Sequence, residues 1–414
     1  MSPNIWNWRA IAGGAGALYV HVPFCVRKCA YCDFASWGMD SNDGRMRVYA
    51  RALSRQVEEL ASAGLLEGCM TAYVGGGTPS MLGPEVLSGI LHTLRTAAPN
   101  MRELSCEANP DTLSDEVLVA MREAGTTRVS IGVQSLEDAE LVELGRLHDA
   151  KTAAERVSAA VATGMDVSVD LMCATPQQSK ETWGRTLLAA CELGVGHVSV
   201  YPLQLEQGTP LGDRYAHDDP CWNEEEVQAN RMEMAQSVLS AAGFARYEVA
   251  SYARADKQCL HNTAYWTGIP YVGVGYGAAS MLDRATYVQL RSVAPQLPAL
   301  EGWVQRVRLS VERPWDRIAC DHRLCSECFS VELLNAQESL AEDLMLGMRL
   351  SRGIGGALVA QAKEAFGSRF VRTIERLVAD GLVSCENGSL VPTQLGWLLG
   401  NQIFGALWSL SDNL

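Results

Sequence analysis

Three cysteines, Cys25, Cys29 and Cys32, stand in the spacing C-x3-C-x2-C near the start of this 414-residue chain. Thiolates are the usual ligands of iron–sulfur clusters, and a cubane has four irons to hold. Three cysteines leave one iron open, and an open coordination position is what a metal needs to take up a small ligand. Structural zinc would require a fourth ligand, and His21, the nearest histidine, falls inside a β-rich run. The spacing points to a [4Fe–4S] cluster.

A second group of chemistry-bearing residues follows. Gly75-Gly76-Gly77-Thr78-Pro79 combines glycines that let a backbone approach a ligand with a proline that stiffens the exit, although an ordinary strand-to-helix turn has the same composition. Glu107 in CEANP, Gln134 in GVQS, Arg146 in LGRLH and Asp170 in VDLM each set a polar side chain at or beyond a β-rich run. Such groups can hydrogen-bond a ribose, an adenine or a carboxylate; singly, each also reads as a cap or a loop ion pair. Farther on, Cys320-x4-Cys325-x2-Cys328, with His322 inside the first gap, reads either as a zinc or second cluster site or as a set of unpaired, redox-active thiols. Cys69, Cys106, Cys173 and Cys191 sit among apolar neighbours and read as small core residues.

The elements that must position these groups are repeated strand–helix units. Six β-rich runs, LYVHVP (18–23), MTAYV (70–74), ELSCEA (103–108), RVSIGV (128–133), DVSVDLM (166–172) and HVSVYPL (197–203), are separated by segments with helical periodicity. Repeated βα units imply a parallel sheet. Six units admit an open doubly wound sheet or a partial barrel. The clustering of Cys25, Gly75–Gly77, Glu107, Gln134, Asp170 and Tyr201 at strand ends favours the barrel, whose active face is its C-terminal rim. The expected α/β architecture is an N-terminal segment (1–16), a partial (β/α)6 barrel (17–212), an α+β connecting lobe (213–330) and a small winged-helix-like domain (331–414) with an Asn387-Gly388 hairpin turn.

Acidic residues outnumber basic ones by 48 to 34, giving a net charge of −14, and no long basic run is present. Nucleic acid is therefore not an expected partner. The first 24 residues lack a secretory pattern, so the thirteen cysteines are read in a reducing cytoplasm, as ligands or thiols rather than disulfides. The apolar stretch 390–410 is interrupted by Pro392, Asn401 and Gln402 and does not span a bilayer. Its leucines at helical spacing suit core packing, with interfacial membrane docking or an acceptor surface as the alternative.

The cysteine spacing, with Tyr31 just before Cys32, resembles the radical S-adenosylmethionine superfamily. That resemblance implies that the open iron chelates S-adenosylmethionine. Together with Tyr19, Gly76, Gly77, Thr78, Glu107, Gln134, Arg146 and Asp170, it extends in order and approximate spacing to the oxygen-independent coproporphyrinogen III oxidase family, from Ala17 to the C-terminus. These residues are then expected to bind the cofactor. The dehydrogenases of that family carry a further cysteine where Phe34 stands here, and His261-Asn262-Thr263-Ala264-Tyr265-Trp266 lies beyond the barrel. Both features resemble the HemW-type haem chaperones.

The resemblance implies haem as a third cofactor and haemoproteins, respiratory membrane proteins included, as acceptors. His261 would offer an imidazole nitrogen to iron while Tyr265 and Trp266 pack against a flat macrocycle; Cys259 is a second conceivable ligand. The rival reading is a radical enzyme that oxidatively decarboxylates coproporphyrinogen III. One departure concerns the loop after the fifth run, where relatives read GLPGQT and this chain reads CATPQQS (173–179), losing two glycines.

Overall fold

Residues 14–216, 220–312 and 323–412 are described by the computed structural model. Each of the six β-rich runs forms a strand: β1 Ala17–Val22, β2 Thr71–Gly76, β3 Glu103–Ala108, β4 Arg128–Gln134, β5 Asp166–Cys173 and β6 His197–Pro202. They are parallel and pair in chain order from β1 to β6. The intervening helices start where short polar side chains take up a free backbone N–H: Asp43 before Gly44–Ser62, Ser114 before Asp115–Glu123, Asp149 before Ala150–Ala162 and Ser179 before Lys180–Glu192.

Alternation along the strands decides what each face does. Leu18, Val20, Ala72, Val74, Leu104, Val129, Ile131, Val167, Val169, Val198 and Val200 are buried in the core shared with the helices. The opposite face carries Tyr19, Tyr73, Ser105, Glu107, Ser130, Ser168, Asp170 and Ser199 in register across the sheet. A closed parallel barrel normally fills that inner face with bulky aliphatic residues. Here small serines and polar groups leave it unfilled, and residues from all of β1 to β6 except β3's Ser105 position face one cavity, so the six strands curl into a partial barrel.

The chain beyond the barrel is spread over both edges of the same sheet. Strands β7 Ala245–Arg246 and β8 Ser251–Ala253 extend it past β6, with β8 antiparallel to β6. On the other edge β9 Tyr271–Val274 pairs parallel with β1, and β10 Ala279–Asp283, β11 Arg306–Glu312 and β12 Cys328–Leu334 follow antiparallel, making twelve strands. Edge strands present unpaired N–H and C=O groups, and these additions cover β1 and β6.

The C-terminal domain has its own core, built by helices Ala336–Gly347, Gly356–Phe366, Ser368–Ala379 and Gly400–Trp408 and the hairpin Val383–Glu386/Ser389–Pro392. Asn387 and Gly388 both take positive φ, as a two-residue type I′ turn requires. The domain is fastened to the barrel by the Trp397 indole N–H to the Val249 carbonyl (2.8 Å), the Ser351 N–H to the Tyr247 carbonyl (3.0 Å) and Arg306 to Glu342 and Asp343 (2.7 Å each). No helix among the described residues is long and apolar enough to cross a membrane.

Candidate cofactor cavity

The loop that carries the three cysteines is tied at both ends. Phe24–Cys25 pairs in parallel with Trp37–Gly38, and Met39 N–H donates to the Cys25 carbonyl (2.8 Å). His21 holds the middle: its Nε2 lies 2.9 Å from the Ala35 carbonyl, which can only accept, so Nδ1 accepts from the Tyr19 hydroxyl at 3.0 Å. All three cysteines are free and partly exposed at the cavity mouth, and burial pushes the Cys25 and Cys32 thiols above their ordinary range.

A chain of hydrogen bonds joins two of the sulfurs. Arg146 donates from Nη1 to Cys29 Sγ (3.3 Å) and from Nη2 to Asn109 Oδ1 (2.7 Å) and the Gly132 carbonyl (2.6 Å). Asn109 Nδ2 donates to Thr78 Oγ1 (2.9 Å), and the Thr78 hydroxyl donates to Cys25 Sγ (3.5 Å). Donors aimed at sulfur suit thiolates that carry metal, because they stabilise negative charge on the ligand. Among the described residues no three His, Cys, Asp or Glu side chains are grouped to hold a single metal ion. The thiolates of a cubane bind separate irons and need not converge on one point, so the cysteine set fits a cluster better than a lone zinc.

The glycine run serves the protein itself. A Cβ on Gly75 would meet Glu107 at 2.8 Å, one on Gly76 the His21 ring at 2.4 Å, and one on Gly77 the Phe24 carbonyl at 2.5 Å. Gly76 also has φ +113, and its N–H donates to Glu107 Oε2 at 2.9 Å. Glu107 is in turn pushed up to about 7, chiefly by burial and further by the nearby Asp170 charge, with the Gly76 N–H and Tyr73 opposing. Asp170, held by Ser130 at 3.2 Å, is raised by burial as well. Gln134 sits at the irregularity where β4 pairs with β5, with φ +66.

At the far end of the cavity the HNTAYW segment forms the helix Leu260–Trp266. His261 is buried, with Nδ1 3.0 Å from the Thr71 hydroxyl and Nε2 2.9 Å from the Tyr265 hydroxyl, and its ring stacks on Tyr73 at 5.2 Å. Burial lowers its pKa to about 3, so the ring is neutral. Trp266 points elsewhere, under the Arg349 guanidinium at 5.1 Å. The motif therefore divides between the cavity floor and the seat of the C-terminal domain. Cys259 is buried beside it, its thiol 3.4 Å from Glu103 Oε1.

Tyr19, Cys25, Cys29, Cys32, Gly76, Gly77, Thr78, Glu107, Gln134, Arg146, Asp170 and His261 all line this one cavity, of about 680 Å³. Sequence reasoning missed Asn109, Tyr73, Arg128, Ser130, Ser168, His197 and Ser199, which line it too. The signal for the serines was present as polar residues alternating with valines in RVSIGV, DVSVDLM and HVSVYPL. Cys320 and His322 lie outside the described residues; Cys325, on the turn leading into β12, and Cys328, the first residue of β12, are free and exposed. Cys69, Cys106 and Cys173 are buried and Cys191 is half-buried.

The Radical SAM superfamily model matches residues 19–190, and the HemN C-terminal domain model matches residues 334–399. Among curated relatives, the protein named heme chaperone HemW of Mycobacterium tuberculosis is 34% identical over 395 residues, covering 94% of each chain. The heme chaperone HemW of Escherichia coli is 35% identical over 342 residues, covering 80% of this chain and 88% of that one. Among solved structures, coproporphyrinogen III oxidase (HemN) from Escherichia coli, a radical SAM enzyme, superposes with a TM-score of 0.72 at 19% identity, covering 97% of this chain and 92% of that one; this likeness concerns the fold.

Proposed function

Because the chain belongs to the HemW family within the Radical SAM superfamily, we propose that it binds haem and passes it to haemoproteins in the cytoplasm or at the membrane. In this reading Cys25, Cys29 and Cys32 hold a [4Fe–4S] cluster, and Tyr19, Gly76, Gly77, Thr78, Glu107, Gln134, Arg146 and Asp170 surround an exchangeable S-adenosylmethionine. When bound, the cluster supplies a one-electron redox centre with one iron free for a chelating ligand. The protein's own part is positioning: Thr78 and Arg146 donate to two sulfurs, and Asn109 locks one against the other. The described cysteines are all free, which suits a reducing compartment.

The charge of the cavity carries this reading over the decarboxylase. Coproporphyrinogen III carries four propionates and haem two, so the decarboxylase would need more free cations than the chaperone. Among the described residues only Arg128 and Arg146 line the cavity as cations, against Asp33, Glu107, Asp170 and Glu206. Both arginines are committed, Arg128 to Glu103, Ser168 and the carbonyls of Lys257 and Gln258, Arg146 to the sulfur brace. Phe34, at the position of the dehydrogenases' further cysteine, is 63% exposed at the mouth. The aromatic wall of Tyr19, Tyr73 and neutral His261 suits a flat apolar ligand.

For His261 to ligate iron, its hydrogen bond to Tyr265 or to Thr71 must open. Anaerobic haemin titration of cluster-reconstituted protein, followed by the Soret band, tests the proposal on the wild type, His261→Ala and Tyr265→Phe. Saturable binding near one haem per chain is expected, with a shifted Soret band in His261→Ala. Absence of saturable binding by the wild type would sink the chaperone reading in favour of radical chemistry. Unchanged spectra in His261→Ala would remove His261 from the haem site.

A further inference from the structure

The C-terminal domain carries a second concavity, of about 640 Å³, between helices Ser368–Ala379 and Gly400–Trp408. Arg369, Arg372 and Arg376 line it with Thr373 and Gln402, and no acidic residue does. Spacings of three and four place the guanidiniums on one helical face, where like charges repel one another and weaken the helix. Other surface arginines are paired with a carboxylate, as Arg156 is with Asp115, Arg185 with Glu137 and Arg214 with Glu143. Among the described residues these three meet no carboxylate: Arg369 donates to the carbonyls of Ser409 (2.9 Å) and Asp412 (3.1 Å), and Arg372 to Ser368 Oγ (3.1 Å). The carbonyl contacts aim Arg369, and the opposite wall is open, since a Cβ on Gly405 would meet nothing within 4 Å.

Three unneutralised guanidiniums in a concave site, on a chain whose net charge is −14, form an arrangement that costs stability without an anion. We propose that this groove binds a small polyanion bearing two or more phosphate or carboxylate groups, held by bidentate guanidinium contacts. The site lies on a different domain from the cofactor cavity and shares no lining residue with it, so its occupancy does not depend on the haem reading.

The test is calorimetric titration of the full chain with inorganic pyrophosphate and, separately, with citrate, at fixed ionic strength. Wild-type protein, Arg372→Gln/Arg376→Gln and Arg372→Lys/Arg376→Lys are compared after confirming that each unfolds cooperatively. Saturable binding of at least one anion by the wild type is expected, weakened about tenfold or more in the glutamine variant and by less in the lysine variant, which keeps the charge but loses the fork. Preference for pyrophosphate assigns a phosphate ligand, and preference for citrate a carboxylate one. No saturable binding of either anion below about 5 mM would overturn the proposal, as would equal affinity in wild type and both variants. Should the glutamine variant not fold, the lysine variant alone decides.

Discussion

Single residues show where the chain holds its backbone in a conformation that carries a physical cost. Ala174 and Gln177 take φ of +55 and +66, a region open to glycine and strained for other residues. They stand at the two positions of CATPQQS where the resemblance described above would place the glycines of GLPGQT. The loop is instead pinned by Gln178, which accepts from Ala174 N–H (2.8 Å) and donates to Glu140 (3.1 Å) and the Met172 carbonyl (3.2 Å). Gln177→Gly should therefore stabilise the protein by about 1 kcal/mol, read as a higher midpoint in urea unfolding; a lower midpoint would mean that the loop is not strained. Glu107 gives a pH-dependent prediction. Its folded pKa of about 7 lies above the unfolded value, so the unfolded state binds fewer protons in between. Its contribution to stability is then present below about pH 4 and is lost as pH rises through 7. Glu107→Gln should raise the melting temperature at pH 8 and leave it nearly unchanged at pH 4.5, and an equal effect at both would contradict the buried-acid assignment.

Secondary elements account for how far the architecture was legible. The six parallel strands could be read because one face of each is a series of buried apolar residues, mostly valine, leucine and isoleucine. The cavity face was harder, because serine in a strand reads as a solvated position, whereas Ser130, Ser168 and Ser199 face the inside of the barrel. Their small size makes the space. Ser168→Leu should fill it, costing about 1–3 kcal/mol by overpacking and abolishing S-adenosylmethionine uptake in equilibrium dialysis; retained uptake would place that ligand higher in the barrel. Strands β7 to β10 were not separable in the sequence, since runs of two to five residues acquire strand character only by pairing with an exposed edge. The glycine run was legible as a turn, but its reason was not: the close neighbours of Gly75, Gly76 and Gly77 are Glu107, His21 and Phe24, which only the folded chain brings there.

Across the whole molecule, the C-terminal domain grips the far side of the barrel through few but specific contacts. Trp397 is buried, donates to the Val249 carbonyl and lies under Arg246 at 4.2 Å, while Arg349 bridges Trp266 and Phe404. Trp397→Ala should cost about 3–5 kcal/mol and split thermal unfolding into two transitions, the C-terminal domain melting first; a single lowered transition would show that the two cores unfold as one. The loop of the three cysteines has a different long-range dependence. Tyr49 hydroxyl donates to the His21 carbonyl (3.1 Å) and accepts from Tyr276 N–H (2.9 Å), Trp37 meets the Tyr276 ring at 4.7 Å, and β1 is covered by Tyr271–Val274. During synthesis each barrel strand finds its partner in the strand made just before it, yet the loop of the three cysteines gains its outer support only after Tyr276 has been made. A chain halted before Tyr276 would present the three thiols on a loop held only by its own local pairs, so the order of translation leaves this loop among the last parts of the sheet to be completed.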